Sequence, residues 1–160
     1  MTEAPLTAIF VESSNKAALA LIAQLHRRAF AAQDEKPWSL SAIEKLMASP
    51  GFEALVYFAD DAPVGFVLVR MVADEAELIS VAVDPACQGK GYAKQAMSFL
   101  FEQLKKREIC NLFLEVRQDN QKAIQLYRSC GFKKIGERRD YYKTISGKKL
   151  DAHVFSFTVE

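Results

Sequence analysis

Cysteine and histidine are scarce in this chain of 160 residues, which holds three of the first (Cys87, Cys110, Cys130) and two of the second (His26, His153). The thiols are widely spaced, odd in number and without a histidine cluster, which argues against a disulfide framework or a structural zinc site and suits a reducing compartment. No histidine neighbours Cys87 or Cys130 in sequence, so no activated thiol nucleophile is visible, and Cys130 reads as helix packing. His26 and His153 read as ordinary helix and strand residues, and no metal is expected. A long apolar run is missing too, so no bilayer span is expected. The opening MTEAPLTAIF lacks the basic region and apolar core of a signal peptide, and a cytoplasmic protein is expected. Charge of one sign is also wanting, since 21 Lys and Arg face 20 Asp and Glu. A protein whose main partner is duplex nucleic acid carries a basic excess, so no direct nucleic-acid partner is expected, nor a membrane. Repeats, linkers and low-complexity tracts are absent. One domain over residues 1–160 is expected, long enough to bury a core without disulfides or metals.

What is present is a regular alternation of patterns. Leu6 to Glu12 alternates as a strand, and Ser13, Ser14 and Asn15 offer cap oxygens to a helix reaching about Ala31, with Leu19, Ile22, Leu25 and Ala29 at helical spacing. AAQDEKPWSL breaks that pattern. Ser41 and Glu44 have capping-box spacing for a short second helix ended by Pro50 and Gly51. Phe52–Ala59 and Val64–Val72 read as strands around a DDAP hairpin, and Glu75–Val83 reads as another strand. A helix follows from about Gly91 to Arg107, striped by Met97, Leu100, Phe101 and Leu104. NLFLEVR is a strand, QKAIQLYRSC a helix stopped by Gly131, and KKIGERRDYY and AHVFSFTVE are strands. Strands crowd the first half and alternate with helices in the second. An α/β (mixed α+β) fold follows, with a central mixed sheet covered by helices on both faces.

Between the third of these hairpin-type strands and its helix lies VDPACQGKGYA, a turn with two glycines. Backbone without β-carbons lets a ligand approach closely, and the free N–H groups of a helix start favour negative charge, so phosphate is the natural guest. Two familiar phosphate loops do not fit. The dinucleotide fingerprint needs a third glycine where Ala93, Lys94 and Gln95 stand, and a nucleotide P-loop needs Gly-Lys followed by Ser or Thr, whereas Lys90 precedes Gly91. A tight turn serving only helix packing is the plain alternative.

Gln88-Gly89-Lys90-Gly91-Tyr92-Ala93 resembles the Q/R-x-x-G-x-G/A pyrophosphate loop of the GNAT superfamily of N-acetyltransferases. VAVDP before it and LEVRQDNQKAIQLYRSCGF one helix later stand in the order of that family's coenzyme A half. The resemblance is close over about Glu75 to Tyr142, and the first half matches only in its order of elements. DEAELISVAVDP, LFLEVR, N-x-x-A-I-x-L-Y and RRDYY look most like the RimI type, which acetylates the N-terminal alanine of a small-subunit ribosomal protein. The resemblance implies a mostly antiparallel sheet of six to seven strands, acetyl-CoA as cosubstrate, and direct transfer of acetyl to an amine, most of all a protein N-terminal α-amine. Small-molecule amines or lysine side chains are alternative acceptors, and a non-catalytic acyl-CoA-binding module is a further alternative.

Acetyl transfer needs a neutral amine, a place for charge on the thioester oxygen, and a proton for the leaving thiolate. An α-amine with a pKa of about 8 is roughly a tenth neutral at pH 7, a lysine near 10.4 less than about a thousandth. Glu115 is the candidate base. Alternation in NLFLEVR sets Phe113, Glu115 and Arg117 on the face opposite Leu112, Leu114 and Val116, where pairing with Arg117 or with a neighbouring strand's cation is the plain reading. The resemblance makes Glu115 the catalytic glutamate. Tyr127 shares a helix face with Ile124 and Cys130 and reads by itself as a core tyrosine with its hydroxyl at the surface, while Leu126-Tyr127 ahead of Gly131-Phe132 resembles the segment whose tyrosine lies near the coenzyme sulfur. Asn120 is an N-cap to which the resemblance adds a coenzyme contact. Val81, Ala82 and Val83 would offer main chain to the acetyl-pantetheine arm, and Gln88, Gly89, Lys90, Gly91, Tyr92 and Ala93 would hold the diphosphate. Trp38, Tyr141 and Tyr142 are candidate acceptor walls, or else packing anchors.

Overall fold

The computed structural model describes residues 5–160. In chain order they form β1 (Leu6–Val11), α1 (Lys16–Ala29), α2 (Leu40–Ala48), β2 (Phe52–Ala59), β3 (Ala62–Val72), β4 (Glu75–Val83), α3 (Tyr92–Lys106), β5 (Asn111–Arg117), α4 (Gln121–Ser129), β6 (Lys133–Lys143) and β7 (Lys149–Thr158). Local chemistry sets the boundaries. Asn15 caps α1 by accepting the Ala18 N–H at 3.1 Å. Ser39, and not the predicted Ser41, caps α2: its backbone is extended, its hydroxyl accepts the Ala42 N–H at 3.1 Å, and Ser41 lies inside the helix that starts at Leu40. Asp60 and Asp61, both at positive φ (49° and 65°), close the β2–β3 hairpin with the backbone twist a two-residue turn requires.

Alternation along the central strands makes a sheet with two buried faces. Ala54, Val56, Phe66 and Leu68 pack with Leu19, Ile22, Leu25 and Ile43 of α1 and α2. Leu55, Tyr57, Val67 and Val69 point the other way, into a core with Met97, Leu100 and Leu104 of α3 and Ile124 and Tyr127 of α4. Helices therefore cover both faces, as the patterning predicts. The sheet has seven strands in the order β1-β2-β3-β4-β5-β7-β6. Every neighbouring pair is antiparallel except β4 with β5, which are parallel and joined through α3. A parallel pair needs such a crossover.

The parallel pair is also where the sheet opens. Pairing of β4 with β5 covers only Glu75–Leu78 against Asn111–Leu114, although β4 runs on to Val83 and β5 to Arg117. The cause lies one strand away. Leu68 pairs with Ser80 and Val69 with Leu78, so Ile79 is an extra residue, and a bulge of this kind bends its strand. Beyond the bulge β4 stays with β3, ending on Gly65 opposite Val83. A β-carbon on Gly65 would stand 2.3 Å from the Ala82 carbonyl oxygen, so only glycine lets β3 follow β4 this closely.

Candidate active site

The wedge between the diverging ends of β4 and β5 forms a cleft of about 540 Å³. Its floor is β4 from Glu77 to Val83 and β5 from Glu115 to Arg117. One wall is the end of α1 and the following loop, and the other is α4 with Tyr141 and Tyr142 of β6. Glu115, Tyr127, Val81, Ala82, Val83, Gln88, Ala93, Asn120, Trp38, Tyr141 and Tyr142 all line this space. Residues read separately from the sequence thus meet in one cleft. Gly89, Lys90, Gly91 and Tyr92 stand outside that lining, at the start of α3.

The main chain of β4 is available on its open edge. The Asp84 N–H is bonded to the Val64 oxygen at 2.7 Å, and strand alternation then turns the peptide groups of Val81 and Val83 away from β3. Consistent with this, the Val83 oxygen accepts the Gln88 side-chain amide at 3.2 Å instead of a β3 donor. Ala82 differs from the two valines: its carbonyl faces Gly65 and its methyl group packs in the α1–α2 core, so the expected main-chain role does not extend to it.

The turn fits a diphosphate. Gly89 and Gly91 have φ of +81° and +79°, and a β-carbon on either would meet no protein atom. What glycine spares here is open space, not a protein clash. Gly91 caps α3 without a side-chain hydrogen bond, leaving the first-turn N–H groups of a 15-residue helix free for an anion. Lys90 is exposed beside them. The Tyr92 side chain is buried in the core beneath α3, so of this residue only the main chain faces the turn. Asn120 Oδ1 accepts the Ala123 N–H at 3.2 Å, which makes it the α4 cap while it also lines the cleft.

Glu115 is largely enclosed, and its Oε1 pairs with Arg138 Nε of β6 at 2.7 Å. The cation comes from two strands away, whereas Arg117 is taken by Asp119 through two hydrogen bonds of 3.1 and 2.9 Å. Tyr141 lies beside the same carboxylate, and its phenol is pushed above the usual range, first by Glu115 as hydrogen-bond acceptor and then by burial. Burial, then the Glu115 charge, raises the Tyr142 phenol. A bulge in β6 brings this pair in: between the Arg138–Ala152 and Tyr142–Leu150 pairings, Arg139, Asp140 and Tyr141 oppose Asp151 alone. Tyr127 is buried and its phenol is also pushed up, by desolvation first. Its hydroxyl makes no hydrogen bond to a described residue yet is not fully enclosed, so it opens on the cleft. Burial raises the Cys130 thiol, which caps the end of α4, and Cys87 ends a short 3-10 turn.

Trp38 is both wall and anchor. Its ring stacks on His26 at 4.6 Å between centroids and 13° between planes, and the Trp38 main-chain N–H donates to His26 Nδ1 at 3.3 Å. Burial lowers His26 to about 4, which keeps the ring a neutral acceptor. His26 follows Ile22 by one helical turn on the apolar face of α1, and that spacing was the available signal for its burial. Glu35, Gln33 and Glu77 also line the cleft. No sequence pattern singles them out, because loop placement puts Gln33 and Glu35 there and the sheet's opening exposes Glu77.

The sequence profile of the Acetyltransferase (GNAT) family matches residues 19–132. Over 120 residues the chain is 38% identical to the ribosomal protein bS18 alanine N-acetyltransferase of Haemophilus ducreyi, covering 75% of this chain and 82% of that protein. The Escherichia coli K12 protein of the same name is 36% identical over 126 residues, or 77% and 82% of the two chains. The crystal structure of the Escherichia coli ribosomal-protein-S18-alanine N-acetyltransferase superposes with a TM-score of 0.85 at 29% identity, covering 98% of this chain and 95% of that one.

Proposed function

The chain belongs to the GNAT family of acetyltransferases, and from that premise we propose that it transfers acetyl from acetyl-CoA directly to the N-terminal α-amine of a protein, an alanine of a ribosomal protein, in the cytoplasm. The observation that carries this reading is the juxtaposition in one cleft of the opened β4 edge, Glu115 and the Tyr127 hydroxyl. The relatives named above, which act on such an alanine, support the acceptor.

In this reading the free amides at the start of α3 hold the diphosphate, and the Val81 and Val83 peptide groups align the pantetheine arm as a strand would. Glu115 removes the proton that keeps the acceptor an ammonium, and the neutral nitrogen attacks the thioester carbon. The N–C bond forms, the C–S bond breaks as Tyr127 delivers its phenolic proton to the departing sulfur, and the second proton that the nitrogen sheds on becoming an amide returns to the Tyr127 phenolate. A phenol with a raised pKa is a weak acid by itself, but the sulfur leaves into the same desolvated cleft, where a thiolate is equally disfavoured. Arg138 is positioned to hold the Glu115 carboxylate in place.

The test compares protein N-termini by mass spectrometry in cells with and without a functional copy of this chain. Loss of acetyl from one alanine-starting ribosomal protein is the expected result. Unchanged N-termini, with loss of acetyl from a small amine instead, would overturn the acceptor.

A further inference from the structure

We infer that Asp151 of β7 is a positioning residue for Glu115: its carboxylate pins the β6 bulge that turns both Arg138 and Tyr141 onto the base. The inference rests on the reading of Glu115 as the base, and it concerns a residue outside the cleft lining. Strand geometry alone would keep the two groups apart. In a regular strand, residues three apart point to opposite faces, so Arg138 and Tyr141 could not both approach one carboxylate. Yet Arg138 Nε lies 2.7 Å from Glu115 Oε1, and Tyr141 lies beside the same carboxylate. The Arg138 guanidinium carbon sits 5.3 Å from the centre of the Tyr141 ring, so the two side chains also meet each other.

The bulge makes this possible, and Asp151 is the residue it is built on. Arg139, Asp140 and Tyr141 all oppose Asp151, where a regular ladder would set one residue. Asp140 takes a φ of +52°, a left-handed conformation that only glycine enters freely. Its N–H donates to Asp151 Oδ1 at 2.8 Å, a side-chain acceptor in place of a ladder carbonyl.

Asp151 is itself fixed from the β5 side. Its N–H donates to Gln118 Oε1 at 2.7 Å, and its carbonyl oxygen accepts the Gln118 N–H at 3.0 Å. Gln118 directly follows the last residue of β5, the strand that carries Glu115. The base and the bulge that holds it are therefore referenced to one residue of β7. Without an acceptor at position 151, the left-handed Asp140 loses the bond that stabilises it, and the bulge relaxes and withdraws Arg138 or Tyr141 from Glu115.

The test measures kcat and KM with acetyl-CoA and an alanine-starting peptide, and acetyl-CoA affinity by calorimetry, for the full chain and its variants. Asp151→Ala should lower kcat by about tenfold, the size of one hydrogen bond to a charged group, and leave acetyl-CoA affinity unchanged. Asp151→Asn, whose amide oxygen still accepts the Asp140 N–H, should stay within about threefold of wild type. Asp140→Gly added to Asp151→Ala should raise kcat again, because glycine enters the left-handed region without the lost bond. Asp151→Val, which suits a strand better, carries the same expectation as alanine should the alanine variant not fold. A residue serving stability alone would shift the melting temperature and leave kcat of the folded protein where it was. An unchanged kcat in Asp151→Ala or Asp151→Val, or a tenfold loss in an Asp151→Asn protein that melts as wild type does, would overturn the inference and leave the α-amine reading standing. No transfer to the peptide by the wild-type chain would overturn that reading and the inference with it.

Discussion

Glu115 is paired with the Arg138 guanidinium, and in the proposed mechanism its carboxylate also takes the acceptor's proton. Replacing it with Gln keeps the shape and removes the base, so kcat should fall by about a hundred- to ten-thousandfold with little change in acetyl-CoA affinity, measured by steady-state kinetics and calorimetry. Tyr127→Phe should lower kcat less for a thioester whose thiol has a lower pKa than coenzyme A, because that sulfur leaves without a proton. An equal loss with both thioesters would make Tyr127 a packing residue. His26 gives a stability prediction independent of catalysis. Its folded-state pKa of about 4 lies below its ordinary value of 6.5, so the unfolded chain takes the proton first as pH falls. The contribution is complete above about pH 6.5 and is lost down to about pH 4, on the order of 3 kcal/mol in all. Urea unfolding across that range should show the slope, and His26→Gln should flatten it.

Elements supply what single residues do not, and the turn before α3 shows the difference. A β-carbon at Gly89 or Gly91 meets no protein atom, so Gly→Ala at either costs the fold only the positive-φ penalty, about 1 to 2 kcal/mol. Affinity for acetyl-CoA should fall as well, since the added methyl group would occupy the space that the proposed function gives to the diphosphate. Calorimetry showing unchanged affinity would remove the phosphate role from the turn. Gly65 makes the opposite case: its β-carbon would strike the Ala82 carbonyl, so Gly65→Ala should lower the melting temperature more than either turn variant. The elements themselves were legible in the sequence because their signals are local. The α3 stripe of Met97, Leu100 and Leu104, the Asn15 and Asn120 caps and the Asp60-Asp61 turn each depend on residues within a few positions. Ser41 misled because Ser39, two residues earlier, is the extended residue that caps the helix, which leaves Ser41 inside its first turn.

Across the whole molecule, the site depends on relations that no local pattern encodes. The bulge at Ile79 is visible only against β3, the Glu115–Arg138 pair spans β7, and Glu35 reaches the cleft because Asp34 is bonded to Ser146. Glu115, Tyr127 and the glycine turn are singled out in the sequence by their resemblance to a known family and Trp38 and Tyr142 as walls or anchors, whereas the shared cleft that Glu115, Tyr127, Trp38 and Tyr142 line is visible only in the fold. The divergence of β4 from β5 joins the two halves of the chain at one opening, and the central claim is that an α-amine reacts there. A peptide with alanine at its N-terminus and one internal lysine, incubated with acetyl-CoA and this chain and then sequenced by tandem mass spectrometry, tests that claim most directly. Acetyl on the α-nitrogen alone is the predicted result, and acetyl on the lysine side chain, or on neither amine, would contradict it.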